Sequence, residues 1–531
     1  MSDSARRASA VVAMPIVALL TLLAWVFASP IGAGPDDDYH LVSSWCAGPT
    51  ADETCLPPEP GFAYHRAPEA LVEIACFAFD AEQSAACQGE EWSWSSDDLV
   101  ETGRLNSIGA YPPVYYAVTG SVTGHDLHAS ALLMRGLSAV LFLLLLVGLF
   151  IALPAHRRPA LAWVFLLTAV PLGLFLVGTN NPSLWSWIGV GAAPVALMGF
   201  YESAGRRKAA LGALFVVSAV AAAGSRSDAA IYVCIAMGAV GIVAFTHTRR
   251  FYLDSILPLI TALVSVAIFV SAFAARHGLG GYAGQILDAD TGAPLEPPPS
   301  AEGPAVGPVL PETDDGGTPL TGFGLLASNI LNVPRLWTGV FGDRWGLGWL
   351  DTSMPAFVPA ATVAAFVLVG ALGVARPTLR RAVAVALVFL ALVVIPVVIL
   401  QTGGFAVGEQ VQPRYLLPLV ALLVAVVTLV SADRPLVLTR VQRLLVIVAL
   451  SAAHFVALHM NIRRYVTGID ESGPNLDAGV EWWWAGPIGP NAVWLLGSLA
   501  FGLLVWLVVS VYSKPVLSDS AAIVAAPAPV R

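Results

Sequence analysis

Three adjacent carboxylates, Asp36, Asp37 and Asp38, lie between Pro35 and Tyr39-His40, directly after the first long apolar stretch of the chain. Like charges so close, beside a low-dielectric membrane, raise at least one of their pKa values. Such a cluster suits a general base, or a divalent cation such as Mg or Mn held by Asp36 and Asp37. The competing reading is a solvated acidic turn that stops a helix. A second feature is arginine on the acid-rich side of the membrane. Arg414, in Gln412-Pro413-Arg414-Tyr415, opens the tenth apolar block, and Arg463 and Arg464 follow the eleventh. Arginine binds phosphate in a two-pronged fashion, so these three are candidates for a lipid-linked phosphate; the alternative is snorkelling toward headgroups. Arg226 is discounted because Asp228 lies two residues away. Aromatic segments come third: Tyr111-Pro112-Pro113-Val114-Tyr115-Tyr116, and Trp482-Trp483-Trp484. Sugars stack on such rings, but Trp and Tyr also enrich at membrane interfaces, the better reading for the Trp triplet. No nucleotide-phosphate loop, zinc spacing or nucleophile elbow stands out.

The elements that must position these residues follow from composition. Of 531 residues, 57% are hydrophobic and 12% charged, against about 25% charged in an ordinary soluble domain. Mean hydropathy is +0.74. The apolar residues come in twelve blocks, near 10–30, 130–153, 160–178, 185–201, 209–224, 229–246, 254–275, 356–375, 381–401, 415–432, 442–460 and 490–512. That is the length that crosses a bilayer as helix. The expected fold is an all-α polytopic membrane protein with about twelve transmembrane helices. The first block is too long for a signal peptide and lacks a cleavage site, so it reads as a retained span.

Charge sets the orientation. With both termini cytoplasmic, the inside holds 17 Lys and Arg and 5 acids, and the outside 10 Arg and 31 acids. Residues 31–128 and 276–355 are then large extracytoplasmic loops after spans 1 and 7. Spans 2–7 occupy 129–275 and spans 8–12 occupy 356–512. The tail 513–531 reads as disordered. The first loop holds Cys46, Cys55, Cys76 and Cys87 on the oxidising side, where disulfides form. Of three possible pairings the local one, 46–55 with 76–87, is expected. The second loop begins with a Pro- and acid-rich linker, including Glu296–Pro299 and Glu312–Gly317. It ends in a short helix around Leu325–Trp337, lying either at the headgroups or packed on the protein.

The pattern of Pro35, Asp36, Asp37 and His40 resembles the opening signature of the domain-of-unknown-function 2142 family of predicted membrane proteins, grouped with the GT-C glycosyltransferases. Three further stretches are similar to family segments: Tyr111–Tyr116, Gly346-Leu347-Gly348-Trp349-Leu350-Asp351 before Pro355, and Gln412–Pro418. Asp38 stands where the family commonly has proline, and Pro413 where it usually has Gly. The resemblance implies a GT-C-like fold and a polyprenyl-phosphate-linked sugar donor. It implies transfer to a glycan or lipid-linked acceptor outside the plasma (inner) membrane, without nucleic acid. Asp36 or Asp37 would be the base, with His40 orienting it or binding acceptor. Arg414, Arg463 and Arg464 would meet the donor phosphate, while Asp38, Tyr111, Tyr115, Tyr415 and Trp349 would line the substrate site. A transporter or flippase, and a polymer ligase using a lipid-pyrophosphate donor, remain alternatives.

Overall fold

The computed structural model describes residues 3–58, 64–89, 94–277, 320–375, 377–430 and 435–513. The Pro-rich linker and the C-terminal tail beyond Ser513 lie outside them. All twelve apolar blocks are helical. They form α1 (Asp3–Phe27), α2 (Leu127–Ala152), α3 (Arg158–Val177), α4 (Ser183–Glu202), α5 (Gly205–Ala223) and α6 (Ser227–Ala244), then α7 (Ile256–His277), α8 (Phe357–Val374), α9 (Leu379–Gly403), α10 (Pro413–Thr428), α11 (Arg440–Val466) and α12 (Pro490–Tyr512). Among the described residues, nine helical segments are long and apolar enough to cross a membrane; Val11–Phe27 and Pro413–Thr428 are shorter apolar helices. The chain is thus an all-α polytopic membrane protein.

Local sequence explains the ends. Asp126 caps α2 by accepting from the Ala129 N–H at 2.9 Å, and Thr439 with Gln442 forms a capping box on α11. Gly404 stops α9 in the left-handed conformation that only glycine adopts freely. Inside the bundle the order is set by side-chain size. The apolar window of α4 is wholly buried, whereas that of α7 is only 17% buried, so α4 is central and α7 faces lipid. A side chain at Gly189 of α4 would run into the Ser218 carbonyl of α5; small residues let these two backbones touch, as membrane helices commonly do.

At one end the loop after α1 builds a small folded unit. Strands β1 (His65–Pro68) and β2 (Leu99–Thr102) pair antiparallel, with His65 opposite Thr102. Disulfides join Cys46 to Cys55 and Cys76 to Cys87. The helix Asp37–Trp45 buries Leu41, Val42 and Trp45 against Ile74 and the start of α2. The second loop contributes helices Gly322–Asn332 and Pro334–Val340. Leu325 and Asn329 turn inward and Trp337 donates to the Leu392 carbonyl of α9 at 3.2 Å, while Phe323 and Leu331 stay exposed. One face of this segment is therefore packed and the other bare.

Candidate functional site

The acids are delivered by a tightly held turn. After α1 ends at Phe27, backbone carbonyls of residues 28–35 are claimed by side chains from distant elements. Asn461 of α11 donates to Ala28, and Arg135 of α2 donates to Ser29 and Pro30 at 2.8 and 2.6 Å. Trp349 donates to Gly32, Tyr465 to Ala33, and Asn181 to Pro35. Arg414 of α10 also donates to Pro35, at 2.7 Å. Buried irregular backbone needs such partners. The product is Asp36 at φ 64°, a left-handed conformation that persists only where the surroundings over-determine it.

The three neighbouring carboxylates meet three different environments. Asp36 is one-third exposed; it accepts from Arg414 and lies 3.5 Å from Arg104. Burial alone would raise its pKa, but the guanidiniums of Arg414 and Arg104 hold it at about 2. Asp37 is fully buried. Its Oδ2 accepts from the backbone N–H groups of Gly34 and Asn180 at 3.1 and 3.2 Å, and its Oδ1 has no partner. Burial pushes it up to about 7, against the pull of Arg135 and those N–H groups. Asp38 is also buried and takes two bonds from Arg104, at 2.8 and 2.9 Å.

Beside Asp36 opens a cavity of about 400 Å³ lined by Tyr39, Arg104, Leu105, Ser107, Ile108 and Tyr111 among others. Tyr39 packs on Tyr111, and Asn106 fixes both: its Oδ1 accepts from the Tyr39 hydroxyl and the Tyr111 N–H. Three further guanidiniums surround these rings. Arg226, at the start of α6, sits 4.4 Å from the Tyr415 ring and 5.9 Å from Tyr111. Arg276, at the end of α7, sits 5.0 Å from Tyr111. Arg414 donates to the Tyr415 hydroxyl at 3.2 Å. The arrangement offers one accessible carboxylate, aromatic faces and a dense positive field to an anionic, hydroxyl-bearing ligand.

Several expected site residues lie elsewhere. Arg464 is buried and spent on the Phe77 carbonyl and on Asp351, at 2.7 and 2.9 Å. Arg463 closes the loop after α11 through the Gly473 and Asn475 carbonyls. Neither meets Asp36. Trp349 is buried against Phe79 as a brace for Gly32, not a substrate wall. Tyr115 packs between Tyr116 and Trp185 in the core. Asp38 is consumed by Arg104 and does not line the cavity. His40 is buried behind Tyr111, shares a 2.8 Å hydrogen bond with the Tyr116 hydroxyl and touches no carboxylate side chain; burial lowers its pKa well below the usual range, so it is neutral at pH 7. Asp36 faces Arg414 while Asp37 faces backbone. Among the described residues no group of three or more His, Cys, Asp or Glu could hold a metal ion.

Residues not anticipated from sequence also appear. Arg104 lay unremarked in a loop, and Arg276 at the end of a span. Arg226 keeps both bonds to Asp228, at 2.9 Å each, yet still faces the tyrosines. Arg135 had a readable signal, since an ionisable side chain inside an apolar block is costly unless it has a task.

Fold and site together define a polytopic helical membrane protein with a carboxylate–arginine site at the helix ends. The chain belongs to the family described as predicted membrane protein (DUF2142), whose model matches residues 19–423. No curated protein matches it.

Proposed function

We propose that the protein is an inverting glycosyltransferase, moving a sugar from a polyprenyl-phosphate donor to an extracytoplasmic envelope acceptor. In this reading the chain has twelve spans with both termini inside, and the tyrosine-lined cavity opens on the outer face of the plasma membrane. The observation that carries it is the contact between Asp36 and Arg414, 378 residues apart, beside that cavity. An Asp36 oxygen accepts the proton of the acceptor hydroxyl as the hydroxyl oxygen bonds to the anomeric carbon. The bond from that carbon to the phosphate oxygen breaks, and polyprenyl phosphate leaves with the electron pair. A carboxylate held at about 2 is a weak base, but negative charge brought near Arg414 and Arg104 cancels part of the field that holds it there. Donor arrival thereby strengthens the base.

Asp37, buried and aimed at backbone, anchors the turn. Positioned acid–base help is worth about 10²- to 10⁴-fold, so Asp36→Asn should cut transfer in purified membranes at least about a hundredfold with folding intact. Wild-type transfer by that variant would remove the assignment. A donor panel of lipid monophosphate and pyrophosphate sugars separates this reading from a polymer ligase.

A further inference from the structure

A second cavity, of about 350 Å³, lies in the half of the bundle away from Asp36. Its walls come from α1, α2, α3, α4 and α12, and it runs from Val11 to Leu22 along α1. At 1.5 Å per residue that is about 16 Å of helix, close to half the hydrocarbon core of a bilayer. The lining is apolar except for Thr21, Trp187 and Tyr512. Thr21 donates to the Val17 carbonyl and Trp187 to the Thr168 hydroxyl, both at 2.9 Å. The two donors deep in the cavity are thus already engaged, and a water needs about two to four polar partners. Such a space holds hydrocarbon.

Which hydrocarbon follows from the mouth. Val12 of α1 and Ile151 of α2, both in the lining, are 70% and 68% exposed. The cavity therefore opens sideways between two spans, toward lipid. Its outer end carries charge. Phe150 and Tyr512, both in the lining, pack with ring centroids 6.3 Å apart, and the Arg158 guanidinium lies 4.7 Å from the Phe150 ring. Neighbouring Arg157 is turned elsewhere, to Glu202 and the Val430 carbonyl. An apolar slot one leaflet deep, with a guanidinium and a phenol at its rim, is the complement of an acyl chain ending in an anionic phosphate.

We infer that this cavity binds one acyl chain of an anionic phospholipid from the leaflet away from Asp36, with the lipid phosphate held at Arg158 and Tyr512. The slot makes the site tighter than the surrounding lipid, and the charge at its rim selects the headgroup. The site goes beyond the proposed transfer chemistry and does not rest on it. A polyprenyl phosphate serving Asp36 would keep its phosphate at the opposite end of the bundle and would bring no anion to Arg158.

Binding to the purified full chain in detergent tests this, with phosphatidylglycerol as probe and phosphatidylcholine of the same acyl chains as comparison. One basic side chain near an anionic headgroup is worth about fivefold. Phosphatidylcholine should therefore bind wild type about fivefold more weakly than phosphatidylglycerol does, and Arg158→Gln should weaken phosphatidylglycerol by the same factor, with recovery in Arg158→Lys. Arg207→Gln, exposed at the same end on α5, should change nothing. Ala162→Phe places a ring in the slot from α3, and Ala18→Phe does so from the facing α1. Displacing two methylenes of the tail costs about tenfold, so each folded variant should weaken both lipids by at least that. Equal binding by wild type and either folded blocked variant, or equal binding of the two lipids, overturns the inference. An equal loss in Arg207→Gln reduces Arg158 to general surface attraction and overturns it too. Uptake seen only in Ile523→Asp, a change in the C-terminal tail, gives the cavity to the chain's own tail and overturns the lipid assignment. No arm measures transfer, so the role of Asp36 stands or falls separately.

Discussion

Two corners at the same end of the bundle are built from the same residue types and do opposite things. In one, Arg464 pairs with Asp351 beside Trp349 and Tyr465, and both charges are buried at 1% and 5% exposure. Both charges are enclosed there, and the corner ties the second loop to the carbonyls of the turn. In the other, Arg414 pairs with Asp36 beside Tyr111 and Tyr415, but Asp36 remains one-third exposed over a cavity. The difference is access: a pair enclosed on all sides fixes shape, whereas a half-open pair beside a cavity can receive a ligand.

The contrast can be broken by substitution. The largest effect belongs to the closed corner. Arg464→Ala leaves Asp351 buried without its cation, which costs about 3–5 kcal/mol; chemical denaturation should show that loss, and transfer should fall only as far as the fold does. If Arg464→Ala were as stable as wild type, the two corners would not differ as described. Next comes Asp36→Asn, for which a hundredfold loss of transfer corresponds to about 2.7 kcal/mol of barrier; buried Arg414 loses its charge partner, so the thermal midpoint falls as well and transfer is compared well below it.

Asp37 gives a pH-dependent effect. Its folded pKa of about 7 lies above the ordinary carboxylate value. Its contribution to stability is therefore complete below about pH 4 and lost as pH rises through 7. Asp37→Asn mimics the protonated side chain. It should match wild type at pH 4 and be the more stable of the two at pH 8, read as thermal midpoints. The opposite order would mean that the native turn favours the ionised carboxylate. The smallest effect is Tyr111→Leu, which removes the ring beneath Arg276 and should lower transfer only a few-fold, since an exposed cation–π contact is worth about 0.5–1 kcal/mol.

Much of the architecture was legible because burial in lipid writes itself into every residue of a span. All twelve apolar blocks became helices, and close spacing of the cysteines led to the local disulfides that form. Pro413, the departure from the family pattern, sits in the first turn of α10, where a missing N–H leaves nothing unsatisfied. The site was legible only in part. Asp36 and Arg414 could be singled out as charges in awkward places, but residue type says nothing about where a side chain's hydrogen bonds go. Arg463, Arg464, Asp38 and Trp349 carry the right chemistry and spend it on the scaffold. Arg226 was discounted for its nearby Asp228, although one planar guanidinium can bind a carboxylate at its edge and cover a ring with its face. Arg104 and Arg276 acquire meaning only when the first loop folds back over the ends of α6 and α7.

The central claim is that the open pair, not the closed one, does the chemistry. Transfer from a synthetic polyprenyl-phosphate sugar by wild type and Asp36→Asn, compared where both are fully folded, tests it most directly. A loss of at least about a hundredfold in a fully folded variant is the predicted result. Undiminished transfer by that folded variant would contradict the account.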